Sequence, residues 1–475
     1  MVLRAVLVAL ALAAGCRSYS DKLAEFRGRY LQGDFAGADE AVNRLIAKES
    51  GAKPEAVAKS NALDVKAGKG DTYLLLLDKA MAQLALGRPE VAIELMRKAR
   101  DQLDAHESRS VAQYFGAVLT DDTALDYAGA DYELILVRVM LCLADLIVHS
   151  SQTEGDAYAY ALQVGEKQEK IVGSPLGEDI GYKPREEYRR VGIGAYLQGM
   201  ILEATGARDA AARAYGRCVG YEPGIRIAEE ALERATEGHY AAPGEGVVHV
   251  FRLAGPGPFY ATGTSPSTDF ALRLAQLAAA IVADSYVPFM QTEVPVPVLA
   301  VAPVGAAPLE VSAFGRTAAS EPLLDVNMVA GQQLEKMMPM ILARAVVRRA
   351  VKAAATTVGS EAIGRNNKND TADAVELGFA IANLLWTAAE RADTRSWSSL
   401  PAQIEVARLP LPAGVHAVRI GPGMRADLRI AAGRDAYILV IQPDPGRPGA
   451  VLIDRLSRVA DTGPESLPEI GESKP

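Results

Sequence analysis

Cysteine is almost absent from this chain: three in 475 residues, at Cys16, Cys142 and Cys218. No Cys-x-x-Cys or His-x-x-x-His pair occurs and the five histidines are scattered, so no metal site is expected. A Gly-x-Ser-x-Gly elbow, a His-Glu-x-x-His helix and a Walker loop are also missing. Gly255-Pro256-Gly257-Pro258 lacks the downstream glycine and Lys-Ser/Thr of a phosphate cradle and reads as a rigid structural loop, and no cofactor is expected. Positive charge is in deficit: 50 Lys and Arg against 59 Asp and Glu leave a formal charge of −9. Without a basic stripe, nucleic acid is excluded as a partner, and so is a polybasic grip on anionic lipid. Long apolar runs are lacking too. The best, Leu134–Val148, is interrupted by Arg138 and Asp145 and falls short of the ~20 residues a spanning helix needs. Aromatics are only 6 % of residues, yet 49 % are hydrophobic, enough for sizeable cores built mainly from aliphatic side chains.

What is present begins at the N-terminus. Arg4 is followed by the apolar run Ala5–Ala14, closing on Ala13-Ala14-Gly15-Cys16. A charged start, a short apolar stretch and small residues before a cleavage point mark residues 1–15 as a secretory signal peptide. The Cys immediately after them resembles the lipobox of bacterial lipoproteins, in which that residue is acylated; Cys16 is the expected lipidation site and membrane anchor. Stable anchoring needs more than one acyl chain. Cys142 and Cys218 both sit in helical apolar patterns, where a lone Cys behaves as a small core residue. An oxidising envelope would also permit a bridge between them.

Residues 16–240 read as amphipathic helices in hairpins. Gly33, Gly87 and Gly206 each precede an alanine by five residues (Ala38, Ala92, Ala211), with apolar residues four and seven further on. The glycine allows a tight reversal and the alanine lets the next helix pack closely. Gly155 with Ala161 is a looser fourth copy. The spacing resembles the helix-turn-helix unit of tetratricopeptide repeats, although the glycines lie 54, 68 and 51 residues apart instead of about 34. A solenoid-like surface of this kind binds extended peptide or protein segments.

At 241–246 a Gly/Pro-rich link precedes a change of period, and 247–445 reads as a separate, mixed α/β domain. Strands are expected at Val247–Leu253, Val294–Val298 (an edge strand, from its prolines), Gln403–Arg408, Val415–Ile420, Ala426–Ile430 and Tyr437–Ile441, the last four forming an antiparallel portion. Helices are expected over Thr268–Asp284, Met328–Thr357 and Ala372–Arg391. The acidic, proline-bearing tail 461–475 is expected to be disordered.

Two constellations carry chemistry. Arg344, Arg348 and Lys352 line one face of an alanine-rich helix at i, i+4, i+8. They can grip an anionic ligand or pair with Glu390 and Asp393 across a helix interface, and the small residues between them favour the structural ion-pair network. Asp122–Glu133 gathers two tyrosines and several carboxylates before the helix from Leu134. It is either a polar recognition site or, more simply, a segment in which Asp131 caps that helix and the tyrosines staple the loop.

Tyr127–Glu133, the Arg344–Lys352 helix, and above all Ala392-Asp393-Thr394-Arg395-Ser396-Trp397-x-x-Leu400-Pro401 with Leu411-Pro412-Ala413-Gly414 resemble a family of uncharacterised bacterial envelope lipoproteins. That family carries tetratricopeptide-like repeats and is often grouped with outer-membrane activators of penicillin-binding proteins. The resemblance implies a helical repeat domain and an envelope role without fixing an activity. Arg17 after Cys16 favours the outer membrane, with the body facing the periplasm. The expected function is a non-enzymatic, lipid-anchored scaffold or assembly factor that binds an envelope protein or peptide through its helical half. The alternative is a hydrolase of cell-wall glycan with a carboxylate active site in the C-terminal domain, since carboxylate pairs leave no local motif.

Overall fold

Up to Thr236 the described chain is helical. The computed structural model describes residues 18–65, 71–107, 127–149, 155–176, 182–265, 294–302, 307–364 and 392–459, with backbone alone at 107, 347 and 349–364. The signal segment, Cys16, the helices expected at Thr268–Asp284 and Ala372–Arg391, Glu390 and the tail 461–475 lie outside the described residues. The helices are α1 (Tyr19–Lys22), α2 (Ala24–Leu31), α3 (Phe35–Ser50), α4 (Pro54–Lys59), α5 (Thr72–Ala85), α6 (Pro89–Glu107), α7 (Asp131–His149), α8 (Ala157–Val172), α9 (Ile193–Ala204), α10 (Arg208–Tyr221) and α11 (Arg226–Thr236). From α2 onward, the short α4 aside, each packs on the one before and the one after it.

The reversals follow from the glycines. Gly33, Gly87 and Gly206 have φ of 79°, 76° and 80°, and open space surrounds each, so it is the left-handed backbone that demands glycine there. Ala38, Ala92 and Ala211 are fully buried where the returning helices meet. Gly155 serves differently. A Cβ there would stand 2.1 Å from Asp145 Oδ2, so that glycine permits a close approach. Cys142 and Cys218 are buried free thiols, and burial pushes the Cys218 thiol up to about 12.

Helix α7 explains the interrupted apolar run. It is buried from Asp131 to Val148, and its charges are paired inside the protein. Arg138 donates to Asp104 Oδ2 at 2.5 Å and to the Leu134 carbonyl at 2.6 Å. Asp145 accepts from the Ala157 amide at 2.9 Å and lies 3.0 Å from His149 Nδ1. It is the central helix of a protein; no described helix is long and apolar enough to cross a membrane.

The strands are β1 (Glu245–Pro256), β2 (Phe259–Ser265), β3 (Val294–Ala300), β4 (Glu310–Ala313), β5 (Arg316–Ala319), β6 (Glu321–Asp325), β7 (Pro401–Pro412), β8 (Gly414–Ile420), β9 (Arg425–Ile430), β10 (Asp435–Gln442) and β11 (Ala450–Ile453), with helix α12 (Val326–Gly364) between β6 and β7. Three sheets result: β11-β10-β1-β7-β6, the antiparallel β5-β4-β8-β9, and the ribbon β2-β3. The expected C-terminal antiparallel portion is thus corrected. Tyr437–Ile441 does not continue the meander but enters the five-stranded sheet parallel to β1, with His249 opposite Tyr437 and Phe251 opposite Leu439. The fold also runs past 445, since β11 closes that sheet and the Arg455 amide donates to the Ile147 carbonyl of α7 at 3.1 Å.

The central sheet is covered on both faces, which is why β1 and β10 are almost continuously apolar. Val248, Val250, Ala407, Leu409, Ile438 and Val440 pack against the four-stranded sheet. Phe251, Leu253, Ile404, Val406, Tyr437 and Leu439 belong to the same apolar cluster as the helices. The period does change at 241–246, but the core does not part there. The expected separate domains 16–240 and 247–445 instead share one core, because the apolar stripe of the helical layer is buried against the sheet. The architecture is mixed α and β in three layers: helices, five-stranded sheet, four-stranded sheet.

Candidate functional site

The stretch Ala392–Leu400 is mostly buried although it is neither helix nor strand. Such a segment must find partners for its main-chain groups, and it finds them in the helical layer. Asp78 sits in the apolar run Leu74–Leu84 of α5 beside Lys79, both fully buried. Adjacent helical positions point roughly 100° apart, so each needs its own partner. Lys79 turns to α3, donating to Asp39 Oδ1 and Asn43 Oδ1 at 2.7 Å each. Asp78 turns to Ala392–Leu400: its Oδ1 accepts from the Ser399 amide at 3.0 Å and hydroxyl at 2.7 Å, and the Ser398 hydroxyl donates to it at 3.2 Å.

Glu133 holds the residue just before Ser398, Trp397. Its Oε1 accepts from the Trp397 amide at 2.7 Å. Its Oε2 accepts from the Tyr127 hydroxyl at 2.6 Å and the Ala130 amide at 3.1 Å. It is therefore Glu133, in the third position of α7, that caps the helix start, reaching back to the residue before it. The expectation for Asp131 is corrected: its carboxylate is taken by Arg185, at 2.8 Å from Nε and 2.6 Å from Nη2, and by the Tyr188 hydroxyl at 3.0 Å. The staple is observed, with Tyr127 fastened to Glu133 and its ring 5.3 Å beneath the Arg395 guanidinium.

Arg395 also holds Asp393, at 2.7 Å from Nη2 to Oδ2, and reaches Asp71 at 3.4 Å. Asp393, expected to face the Arg344–Lys352 helix, thus has Arg395 as a partner, two residues on. In α12, Arg344 is half-buried and Arg348 buried. Lys352 belongs to the same helix but its side chain, like Glu390, is outside the described residues. Trp397 is fully buried, its indole donating to the Ser399 hydroxyl at 3.0 Å. At the N-terminus the Ser20 amide donates to Thr394 Oγ1 at 3.4 Å, and Tyr19 is buried with its hydroxyl making no hydrogen bond.

Burial dominates the electrostatics. It raises the Asp78 carboxyl to about 7 against the lowering pull of its serine donors, and raises Glu133 to about 7 against its tyrosine and amide donors. Burial likewise pushes the Tyr19 phenol well above its ordinary value, reinforced by Asp78, Asp71 and Glu133. Raised carboxyls in pairs suit proton transfer. Here, however, both carboxylates are enclosed, their oxygens occupied by main-chain and hydroxyl donors. The pocket beside Ser398–Pro401, also lined by Tyr30 and Met81, has about 10 Å³ of room, scarcely one water. The arrangement fastens an irregular segment to the helical layer.

A second buried cluster lies where α9–α11 meet the sheet. Glu203 receives Arg234 at 2.7 and 2.9 Å and the Tyr215 hydroxyl at 2.9 Å. Beside it His249 stacks on Tyr437, ring centres 5.8 Å apart, with Nε2 3.5 Å from Asp435 Oδ1. Burial, then Arg408, lowers His249 well below the usual imidazole range, and burial raises Asp435. Neither His249 nitrogen makes a hydrogen bond. Among the described residues no group of His, Cys, Asp and Glu is arranged to hold a metal ion.

No family model, no curated protein and no solved structure matches this chain.

Sequence reasoning marked both ends of the clasp, Tyr127–Glu133 and Asp393–Trp397, without joining them. It missed Asp78, whose signal was an Asp-Lys pair inside an otherwise apolar helix.

Proposed function

We propose that this protein is a lipid-anchored scaffold of the bacterial envelope, fixed by acylated Cys16 to the outer membrane and facing the periplasm. On this reading its helical layer is a tetratricopeptide-like solenoid that engages an envelope protein or peptide. The observation that carries the reading is the helical layer's construction: single-file hairpins turning on Gly33, Gly87 and Gly206 and packed on fully buried Ala38, Ala92 and Ala211. Chains of such units bind through extended surfaces. The inner face is already covered by the protein's own sheet and by Ala392–Leu400, so the partner belongs on the outer faces and edges of the hairpins. A scaffold role also suits the buried carboxylates in the C-terminal half. Glu405 is locked to Arg252 at 3.2 Å, and Asp435 accepts from the Tyr437 hydroxyl at 2.9 Å, both inside the fold.

The test is site-specific photo-crosslinking of the full-length protein in envelopes, with the reactive group on outer positions such as Leu162. One defined envelope protein recovered from several hairpin positions supports the scaffold. No adduct, together with peptidoglycan cleavage that disappears when one Asp or Glu of residues 247–445 is neutralised, contradicts it.

A further inference from the structure

We infer that the end of the molecule formed by α1 and the β2–β3 ribbon lies directly on a lipid bilayer, with Val298 and Val301 at the level of the acyl boundary. This rests on the reading of Cys16 as the lipidated residue. One residue separates Cys16 from Ser18, a reach of at most about 7 Å. At Ser18 the chain is already fixed. Its hydroxyl accepts from the Asp21 amide at 3.2 Å while its own amide donates to Asp21 Oδ2 at 3.1 Å. Tyr19 and Ser20 are buried, and Leu23 and Phe26 are fully so. No tether intervenes between an acylated Cys16 and the body, so the surface around Ser18 has to meet the bilayer.

That surface is identifiable. Helix α1 packs on β2, and Arg27 of α2 covers the Phe259 ring at 4.3 Å. Phe259 pairs with Ala300 at the end of β3; Val298 within β3 is 38 % exposed and Val301, just past its end, 50 %. Pro295 and Pro297 lack the amide donors that another strand would need. The acyl chains supply the affinity; the valines gain by leaving water once held there. Phe314, 68 % exposed, marks the opposite end. Its hairpin neighbour Arg316 pairs with Glu245 at the start of β1, and a strand of that length spans about 36 Å.

The experiment uses the full-length protein in native membranes, carrying Val298→Cys, Val301→Cys or Phe314→Cys with a nitroxide on the new thiol, Cys142 and Cys218 being buried. Expected at 298 and 301 is a several-fold rise in collisions with oxygen and a matching fall with a water-soluble relaxant, relative to the same labels on released Cys16→Ser protein. The label at 314 stays aqueous in both. Labels at 298 and 301 open to the aqueous relaxant in anchored protein overturn the inference, and so does shielding from both relaxants, which would mean a protein covers the ribbon. Intact mass on the same preparation separates the two readings. An unacylated, unanchored product overturns the Cys16 assignment and this inference with it; an acylated product with aqueous labels overturns this inference alone.

Discussion

Asp78 and Glu133 are carboxylates whose water has been replaced by amide and hydroxyl donors, among them residues far away in sequence: Ser399 is 321 positions from Asp78 and Trp397 is 264 from Glu133. Because burial raises both to about 7, the folded state holds their protons more tightly than the unfolded chain does. Their stabilisation is therefore fully present below the ordinary carboxylate range and is lost as pH rises through about 7. Each pH unit of that window is worth on the order of 1 kcal/mol per group. Asp78→Asn, which keeps an acceptor for the Ser399 amide and carries no charge, should gain in Tm relative to the wild type as pH is raised from 5 to 8. A difference that is flat, or that shrinks with rising pH, contradicts the burial argument. Trp397→Ala, by contrast, should cost about 3–5 kcal/mol at any pH, the usual loss for a fully enclosed aromatic, read by denaturant unfolding. At this scale the sequence was partly legible. Trp397 and Glu133 both lie in segments that the sequence marked, but nothing local says that one caps a helix and also holds the other's amide. Charged residues within apolar runs show that buried partners exist without naming them.

The helical hairpins were the most legible elements, because each is written in residues close together. The same three-residue logic predicts how they fail. Gly87 has a φ of 76° with nothing within 4 Å of where a Cβ would stand, so Gly87→Ala should cost about 1 kcal/mol through backbone strain alone. Ala92→Leu at the fully buried contact should cost more, about 1–3 kcal/mol, through overpacking. Urea unfolding of the two variants distinguishes them, and equal losses would contradict the division of labour between turn and contact. Strand positions were legible from alternation and turn residues, and β1, β3, β7, β8, β9 and β10 all contain the expected segments. Pairing was not. Val247 opposite Asp435 and Glu245 opposite Pro412 join residues more than 150 positions apart, and a run buried on both faces carries no mark of its neighbours.

At the scale of the whole molecule, patterning told which faces are apolar but not what covers them. The helices and the central sheet close on each other, and Ala392–Leu400 is threaded between them by Asp78 and Glu133. Thermal unfolding followed by far-UV and near-UV circular dichroism should accordingly give one coincident transition for helices and sheet. Residues 17–240 alone should lack the native near-UV signal, having lost the surface that buries their apolar stripe. Two separated transitions, or a native-like signal from that fragment, would contradict the shared core. For the proposed envelope lipoprotein, the most direct measurement is the intact mass and N-terminal residue of the mature chain purified from membranes. The account predicts a chain that starts at Cys16, carries more than one acyl group and leaves the membrane fraction in the Cys16→Ser variant. A mature chain with an unmodified Cys16, or one equally membrane-bound with serine in its place, would contradict it.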